Sequence, residues 1–481
     1  MTKTADSELR YDLIVIGGGS GGLAAAEFGA ALGAKVALVE ADDRLGGECL
    51  HAGCVPSKAL IHAARRFQTV REQLQPWEEL TRDSFSKAMV AVKASINQVE
   101  ADHDNDAYYQ NKGVMVYHSR AEFSDKNRLL LSDGTELRAK RFIIATGSKP
   151  LVPGISGLTD GPFLTNENIF ELTELPASLV VIGGGPIGCE LGQALAMFGC
   201  QVTIISQDDR LLPRDEPEAS AALQTSLETY ANIRLIFNTK ISSVAHGDGV
   251  TVTYTVDDKP AEVSATQVLV ATGRAANLNL NLEAAGVEYT DRLIVTNDQL
   301  QTTNKRVYAI GDCMGGPNFT HVAVDQAVAA TQNALLGRHK AKRPNTELTW
   351  ATFTTPEIAH LGADEATLIK DRIGYQKQLL DFNAIDKAVA DGEAGLIKVL
   401  TDKDGLILGA TIIGGPASEL IGLLALAKHE GLKLTDLGGI LQAYPTYAFG
   451  LKLFASGLSL ADFTSGSKRK YVNLLRKFTL R

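Results

Sequence analysis

YDLIVIGGGSGGLAAAEFGAALGAKVALVEADDR, residues 11 to 44, reads as an apolar strand, a glycine-rich turn, an alanine-rich helix and a second apolar strand. Gly17, Gly19 and Gly22 stand at the G-x-G-x-x-G spacing of a nucleotide-binding turn. The reason for three glycines is local. One makes the tight turn, one lets backbone approach a pyrophosphate, and one lets helix pack on strand, leaving the first helical amides aimed at phosphate. Glu40 closes the second strand, where a carboxylate accepts the hydroxyls of an adenosine ribose. Such a spacing alone is weak, because glycine turns also occur without a ligand; the full strand-turn-helix-strand context gives it weight.

The device recurs. SLVVIGGGPIGCELGQALAMFGCQVTIISQDDR, residues 178 to 210, sets Gly183, Gly185 and Gly188 on Gly17, Gly19 and Gly22. The same offset sets Gly199 on Gly33 and Arg210 on Arg44, so one fingerprint is used twice. In place of Glu40 the second copy has the uncharged Ser206, and the two sites are expected to treat their ribose differently. Arg210 and Arg214 are close enough in sequence to pair with a 2′-phosphate, with Asp208 and Asp209 as neighbours of the opposite charge.

Outward from these repeats, RFIIATGSKP (141 to 150) and QVLVATGRAAN (267 to 277) end alike, each after a turn-rich alternating stretch that suits an antiparallel excursion before a last parallel strand. RVYAIGDCMGG (306 to 316) places Asp312 at a strand end. Residues 57 to 117 are predicted mainly helical. From residue 349 the character changes: TWATFTTPEIAHLG and AGLIKVLTDKDGLILGATIIGG read as antiparallel strands with an Asp-Gly turn, followed by helical ASELIGLLALAKHEGL. The fold class is therefore α/β, two Rossmann-like dinucleotide-binding domains plus a C-terminal α+β domain. The last fifteen residues, SKRKYVNLLRKFTLR, hold six Lys and Arg and are expected to form a solvated terminal helix, with membrane-surface contact as the alternative.

A chain of 481 residues has room for about three domains. A net charge of -9 argues against nucleic acid or an anionic membrane as the main partner of the whole molecule. The start, MTKTADSELR, lacks the apolar core of a leader, and no uncharged run approaches the ~20 residues of a spanning helix, so a cytoplasmic protein is expected. Five cysteines are too few for a secreted disulfide scaffold. Two of them, Cys49 and Cys54, lie close together in ECLHAGCVPSK, residues 48 to 58. By spacing alone they could be part of a metal clip, a static disulfide or a redox pair. A zinc clip needs about four ligands, and Cys189, Cys200 and Cys313 fall in segments read as helices and strands.

GGGSGG with Glu40, the CxxxxC-VPSK segment, two ATG strands, GGGPIG followed by Cys189-Glu190, and AIGDC together resemble the FAD-dependent pyridine nucleotide-disulfide oxidoreductases, which include dihydrolipoamide dehydrogenase, glutathione reductase and mercuric ion reductase. The resemblance runs in order over nearly the whole chain. It implies an FAD-binding domain in two parts (1–155 and 276–345), an inserted NAD(P)-binding domain (156–275), and a C-terminal domain (346–481) that forms a homodimer with the active site shared between subunits. It implies that electrons pass from NAD(P)H through FAD to a redox-active Cys49-Cys54 disulfide and on to a disulfide or thiol-bound acceptor. Cys54 would be the flavin-side sulfur and Cys49 the outer thiol. Lys58 and Glu190 match the family's ion pair at the reacting edge of the ring, and Asp312 the residue that holds the ribityl chain. Ala121, Thr146 and Gly147 would join Gly17, Gly19, Gly22 and Glu40 on FAD. Gly273 and Arg274 would join Gly183, Gly185, Gly188 and Ser206 among the cofactor contacts, with NADPH favoured over NADH by Ser206.

One motif departs from the resemblance. The thiol-disulfide members carry His-Pro-Thr-x-x-Glu near the C-terminus as an acid-base dyad, whereas this chain has QAYPTYAFGLK, residues 442 to 452, with Tyr444 at the His position and Phe449 at the Glu position. Mercuric ion reductase likewise has tyrosine there. Its C-terminal cysteine pair has no counterpart here, since no cysteine follows Cys313. The alternatives are a metal-ion reductase using Cys49, Cys54 and Tyr444, a diaphorase-like quinone reductase, or a redox-sensing flavoprotein without turnover.

Overall fold

The computed structural model describes residues 9–73, 78–337, 348–464 and 466–479. The start of the chain and the boundary at 345/346 lie outside these residues. By internal contacts the chain divides into two compact units: residues up to Gln207 with those from Asn232, and Asp208–Ala231 with the residues from Asn345 onward.

In the first unit, β1 (Leu9–Ile16), α1 (Ser20–Ala31) and β2 (Val36–Glu40) form the first repeat, with β1 and β2 parallel. Helices α2 (Gly47–His51), α3 (Cys54–Gln73), α4 (Glu78–Asp102) and α5 (Asp106–Asn111) follow. The described part of the predicted helical stretch is thus mainly helical until β3 (Val114–His118), which its Val-Met-Val-Tyr run turns into a strand beside β2. β4 (Ala121–Asp125), β5 (Arg128–Leu131) and β6 (Glu136–Ile144) complete the order β3-β2-β1-β6-β5-β4. β6 runs parallel with β1 over residues 137–144, while on its other side its first residues pair antiparallel with β5 and its last three run parallel with Val307–Ala309. Leu13, Ile14, Val15, Phe142, Ile143 and Ile144 are fully buried, as a sheet covered on both faces requires.

The second repeat builds a four-stranded parallel sheet, with Ser178–Ile182 between Gln201–Ile205 and Gln267–Val270, and Ile233–Ile236 at the edge. Here the excursion is a separate three-stranded antiparallel sheet, Thr239–His246, Val250–Val256 and Lys259–Ala265.

The second unit carries a five-stranded antiparallel sheet whose members include Ile358–Gly362, Ile407–Ile413 and Leu396–Thr401, as the alternation from residue 349 predicts. Helices Ala417–His429 and Tyr447–Phe463 contribute Leu424, Leu451 and Ala455 to its core. Lys398, on the inner strand, is 2% exposed. Its ammonium lies 2.9 Å from Glu218 and 3.3 Å from Glu216, and bonds Glu365. These carboxylates come from the start of helix Pro217–Glu228 and from Glu365–Lys370. A buried ammonium needs such partners, and they anchor the Asp208–Ala231 segment to this unit.

Candidate active site

The two glycine turns can be tested by asking what a Cβ would strike. At Gly17, with φ +108°, it would lie 2.3 Å from the Ala145 carbonyl oxygen, and at Gly22 1.8 Å from the Gly17 oxygen. At Gly183 and Gly188 the same atoms would lie 2.3 Å from the Ala271 oxygen and 2.1 Å from the Gly183 oxygen. The middle glycines differ. A Cβ on Gly19 would meet only Gly47 Cα at 3.8 Å, and one on Gly185 nothing within 4 Å. Outer glycines are thus demanded by chain packing, while the middle ones leave backbone open to a ligand, as a pyrophosphate requires. Neither α1 nor helix Pro186–Met197 has a side-chain cap or an acidic first turn, so their leading amides suit phosphate. Glu40 accepts from the amides of Gly18 and Asp42, which fixes its carboxylate at the end of β2. These residues fit the adenine-dinucleotide portion of FAD.

The dithiol segment is laid against the first turn: the Gly46 amide donates to the Gly18 oxygen at 2.9 Å. Cys49 sits on α2 and is half-buried, while Cys54 opens α3 and is exposed; both are thiols. The Cys49 thiol hydrogen bond holds the Cys54 thiol below its usual range, helped by Thr320 and by the Lys58 ammonium. Cys49 is pushed up by that same bond, by burial and by the charge on Cys54. The position of Cys54 at the amide end of a long helix favours its thiolate in the same sense. Thr320 Oγ1 lies 3.5 Å from Cys54 Sγ. One turn after Cys54, Lys58 Nζ donates to Glu190 Oε2 at 2.9 Å, joining α3 to the helix of the second repeat. Glu190 is 6% exposed, so its charge is held by this ammonium in a place poor in water.

Beside the cysteines lies a polar cluster in which Glu48, Asn166 and Ser148, none of them singled out by the sequence signals, join Arg274 and Asp312. Glu48 receives a two-pronged bond from the Arg274 guanidinium and one from Asn166 Nδ2 at 2.8 Å. Arg274 also donates to Ser148 Oγ at 2.7 Å, and Ser148 donates to Asp312. Burial pushes the Glu48 carboxyl up to about 7, against the pull of Arg274. Asp312, as expected, follows the strand Val307–Ala309 in a short 3-10 turn. Thr146 Oγ1 donates to the Asn277 oxygen at 2.8 Å, and Gly147 accepts from the Asn277 amide, which ties the two ATG strands together. Gly273, at φ +123°, precedes Arg274, and Ala121 opens β4 half-buried.

Ser206 is buried at the end of Gln201–Ile205, its carbonyl accepting from Thr239 Oγ1 at 2.9 Å. Arg210 spends its guanidinium on the carbonyls of Pro213 and Asp215, within its own loop, while Arg214 is exposed. Tyr444, in the second unit, is 64% exposed and packs edge-on against Phe449. Its hydroxyl donates to Asp386 Oδ2 at 3.1 Å, and that bond raises the phenol above its usual range. The carboxylate partner absent from position 449 is therefore supplied from elsewhere in the chain, by the first residue of helix Asp386–Asp391.

Residues 11–327 match the family described as pyridine nucleotide-disulphide oxidoreductase, and residues 348–453 match its dimerisation domain. A mercuric reductase of Bacillus cereus is 34% identical over 92% of this chain and 70% of its own length. A dihydrolipoyl dehydrogenase of Bacillus subtilis is 34% identical over 92% of this chain and 95% of that one. Among solved structures, the HOCl-induced flavoprotein disulfide reductase RclA of Escherichia coli, as a Cu(II) complex, superposes with a TM-score of 0.82 at 25% identity, over 93% of this chain and 99% of that one. No helix among the described residues is long and apolar enough to cross a membrane. With its glycine turns, dithiol segment and dimerisation segment all in place, the chain belongs to the pyridine nucleotide-disulphide oxidoreductase family of FAD-dependent, NAD(P)H-using oxidoreductases.

Proposed function

We propose that the protein passes electrons from NAD(P)H to the Cys49-Cys54 pair and on to a disulfide or thiol-bound acceptor. The observation that carries this reading is the asymmetric dithiol, with Cys54 held toward thiolate and Cys49 toward thiol, beside the Lys58-Glu190 ion pair. Bound FAD supplies the two-electron relay between nicotinamide and thiols. Lys58 places a positive charge beside Cys54, and Glu190 keeps that charge oriented. In the reduced pair Cys49 gives up its proton and attacks one sulfur of a disulfide acceptor, forming a mixed disulfide with it while the acceptor's other sulfur leaves as a thiolate and takes a proton. The Cys54 thiolate then attacks Cys49 Sγ, closing the Cys49-Cys54 bond and releasing the second thiolate.

The remaining assignments belong to the same reading. Gly17, Gly19, Gly22, Glu40, Ala121, Thr146, Gly147 and Asp312 hold FAD within 1–155 and 276–345. The second glycine turn and Gly273 serve the nicotinamide nucleotide within 156–275, while Arg274 acts from the clamp on Glu48. NADPH is preferred, because Ser206 presents no carboxylate to repel a 2′-phosphate and Arg214 is exposed. Tyr444 of the partner subunit completes the site of a homodimer, with Asp386 as the acceptor of its proton. The compartment is cytoplasmic, consistent with a cysteine content too low for a secreted disulfide scaffold. A soft-metal substrate held by Cys49, Cys54 and Tyr444 is the second reading, favoured by a phenol standing where an imidazole would serve proton transfer.

The test is an anaerobic NADPH titration of the FAD-loaded protein. Two-electron reduction is expected to give a long-wavelength thiolate-to-flavin absorption that Cys54→Ser abolishes and that Cys49→Ser shows without reductant. Passage straight to the fully reduced flavin spectrum, with no such band, would refute the assignment.

A further inference from the structure

The helix Gly466–Thr479 lies beyond the segment matched as dimerisation domain, which ends at residue 453. Its surface is divided. Tyr471, Leu474, Leu475 and Phe478 recur at three- and four-residue steps, which stacks them on one face. They are 63, 51, 46 and 70% exposed. A helix that is simply solvated carries polar residues all round, and four large apolar side chains in one stripe are a departure from the expected solvated tail. Arg469, Asn473 and Arg476 fall on the opposite side, Lys470 and Lys477 flank the stripe beside Leu474, and no Asp or Glu follows Asp462. The local charge is thus opposite in sign to the whole molecule, which carries -9.

An apolar stripe backed by arginine and lysine is the pattern of a helix lying in the plane of a bilayer. The apolar side chains enter the acyl boundary, and the basic stems reach back to anionic headgroups. At 14 residues the helix is too short to span, so the geometry is that of a surface anchor. A second copy of the helix is a poorer occupant, because pairing the stripes would bring two basic helices together with no carboxylate of their own to offset the repulsion. We propose that Gly466–Thr479 docks the protein peripherally on an anionic phospholipid bilayer, an interaction separate from the electron-transfer site.

The test is co-sedimentation of the full-length, FAD-loaded protein with vesicles of phosphatidylcholine alone or mixed with phosphatidylglycerol. Binding is expected to the mixed vesicles only, and to weaken as salt is raised. At about one kilocalorie of attraction per basic residue, Arg476→Gln with Lys477→Gln should weaken binding about 30-fold. Leu475→Ser with Phe478→Ser should abolish it, with the melting temperature and NADPH-driven dye reduction unchanged in both variants. Equal binding to pure phosphatidylcholine, no binding to either vesicle, or indifference to both double substitutions would overturn the proposal. So would a change of oligomeric state by light scattering in Leu475→Ser/Phe478→Ser, which would place the stripe between copies.

Discussion

At the scale of single residues the two sulfurs are chemically unequal, and the inequality is testable before any turnover. Because hydrogen bonding and the Lys58 charge hold Cys54 below an ordinary thiol, it should alkylate with iodoacetamide at pH 7, where a thiol near ~8.5 is mostly protonated. Cys49, raised by its neighbour, should alkylate more slowly than Cys54, and faster once Cys54→Ser removes that thiolate. Lys58→Met should shift the Cys54 reaction to higher pH; an unchanged profile would remove the ammonium from this account. Tyr444 poses the matching question on the proton side. Its bond to Asp386 lets a phenol act as a relay, accepting at its oxygen while its own proton moves to the carboxylate. Asp386→Asn should bring the phenol back toward ~10 in an ultraviolet titration of the protein without cofactor. The same change should slow reoxidation by disulfide substrates by ~10²-fold or more, with reduction by NADPH unaffected. Equal slowing of both halves would instead indicate a folding defect.

Between elements, the Glu48-Arg274-Ser148-Asp312 chain clamps α2, which carries Cys49, to both ATG segments and to the turn after Val307–Ala309. Arg274→Met should cost roughly 1.5–3 kcal/mol for the lost charge-assisted bonds. The cost should grow between pH 5 and pH 8, because burial holds the Glu48 carboxyl up to about 7 and only its ionised form is stranded when the guanidinium goes. Denaturant unfolding at the two pH values measures it, and a cost independent of pH would mean that Glu48 stays ionised throughout. The repeated glycines were legible because they obey a local steric rule, and the Cβ clashes at Gly17, Gly22, Gly183 and Gly188 show the rule at work, whereas the CxxxxC segment was legible as a redox pair only through its resemblance to the family. Glu48, Asn166 and Asp386 were not, although Glu48 stands directly before Cys49. Their partners lie far away along the chain, and no periodicity or spacing records a contact made only by tertiary folding. The tail was legible as a basic helix with membrane-surface contact as its weaker reading, and the exposed stripe of Tyr471, Leu474, Leu475 and Phe478 is what favours that reading.

On the scale of the whole molecule, the second unit depends on one buried cation. Lys398 brings Glu216, Glu218 and Glu365 together, and removing the cation alone leaves three carboxylates repelling one another in place of an ion cluster. Lys398→Met should therefore destabilise the protein by ~3–5 kcal/mol, and neutralising the three acids in the same chain should return much of the loss. The cluster also sets an acid limit. Against the cost of burial, bonds from Lys398, Tyr375 and Lys377 hold the Glu365 carboxyl down from the usual 4.5 to about 2. A depressed carboxyl binds fewer protons folded than unfolded across that interval, so its stabilisation is complete above pH 4.5 and is lost as pH falls toward 2. The melting-temperature gap between wild type and Glu365→Gln should accordingly be wide at pH 6 and close as pH is lowered through this window. A gap of constant width would assign the acid sensitivity to other carboxylates and leave Lys398 held by Glu216 and Glu218 alone.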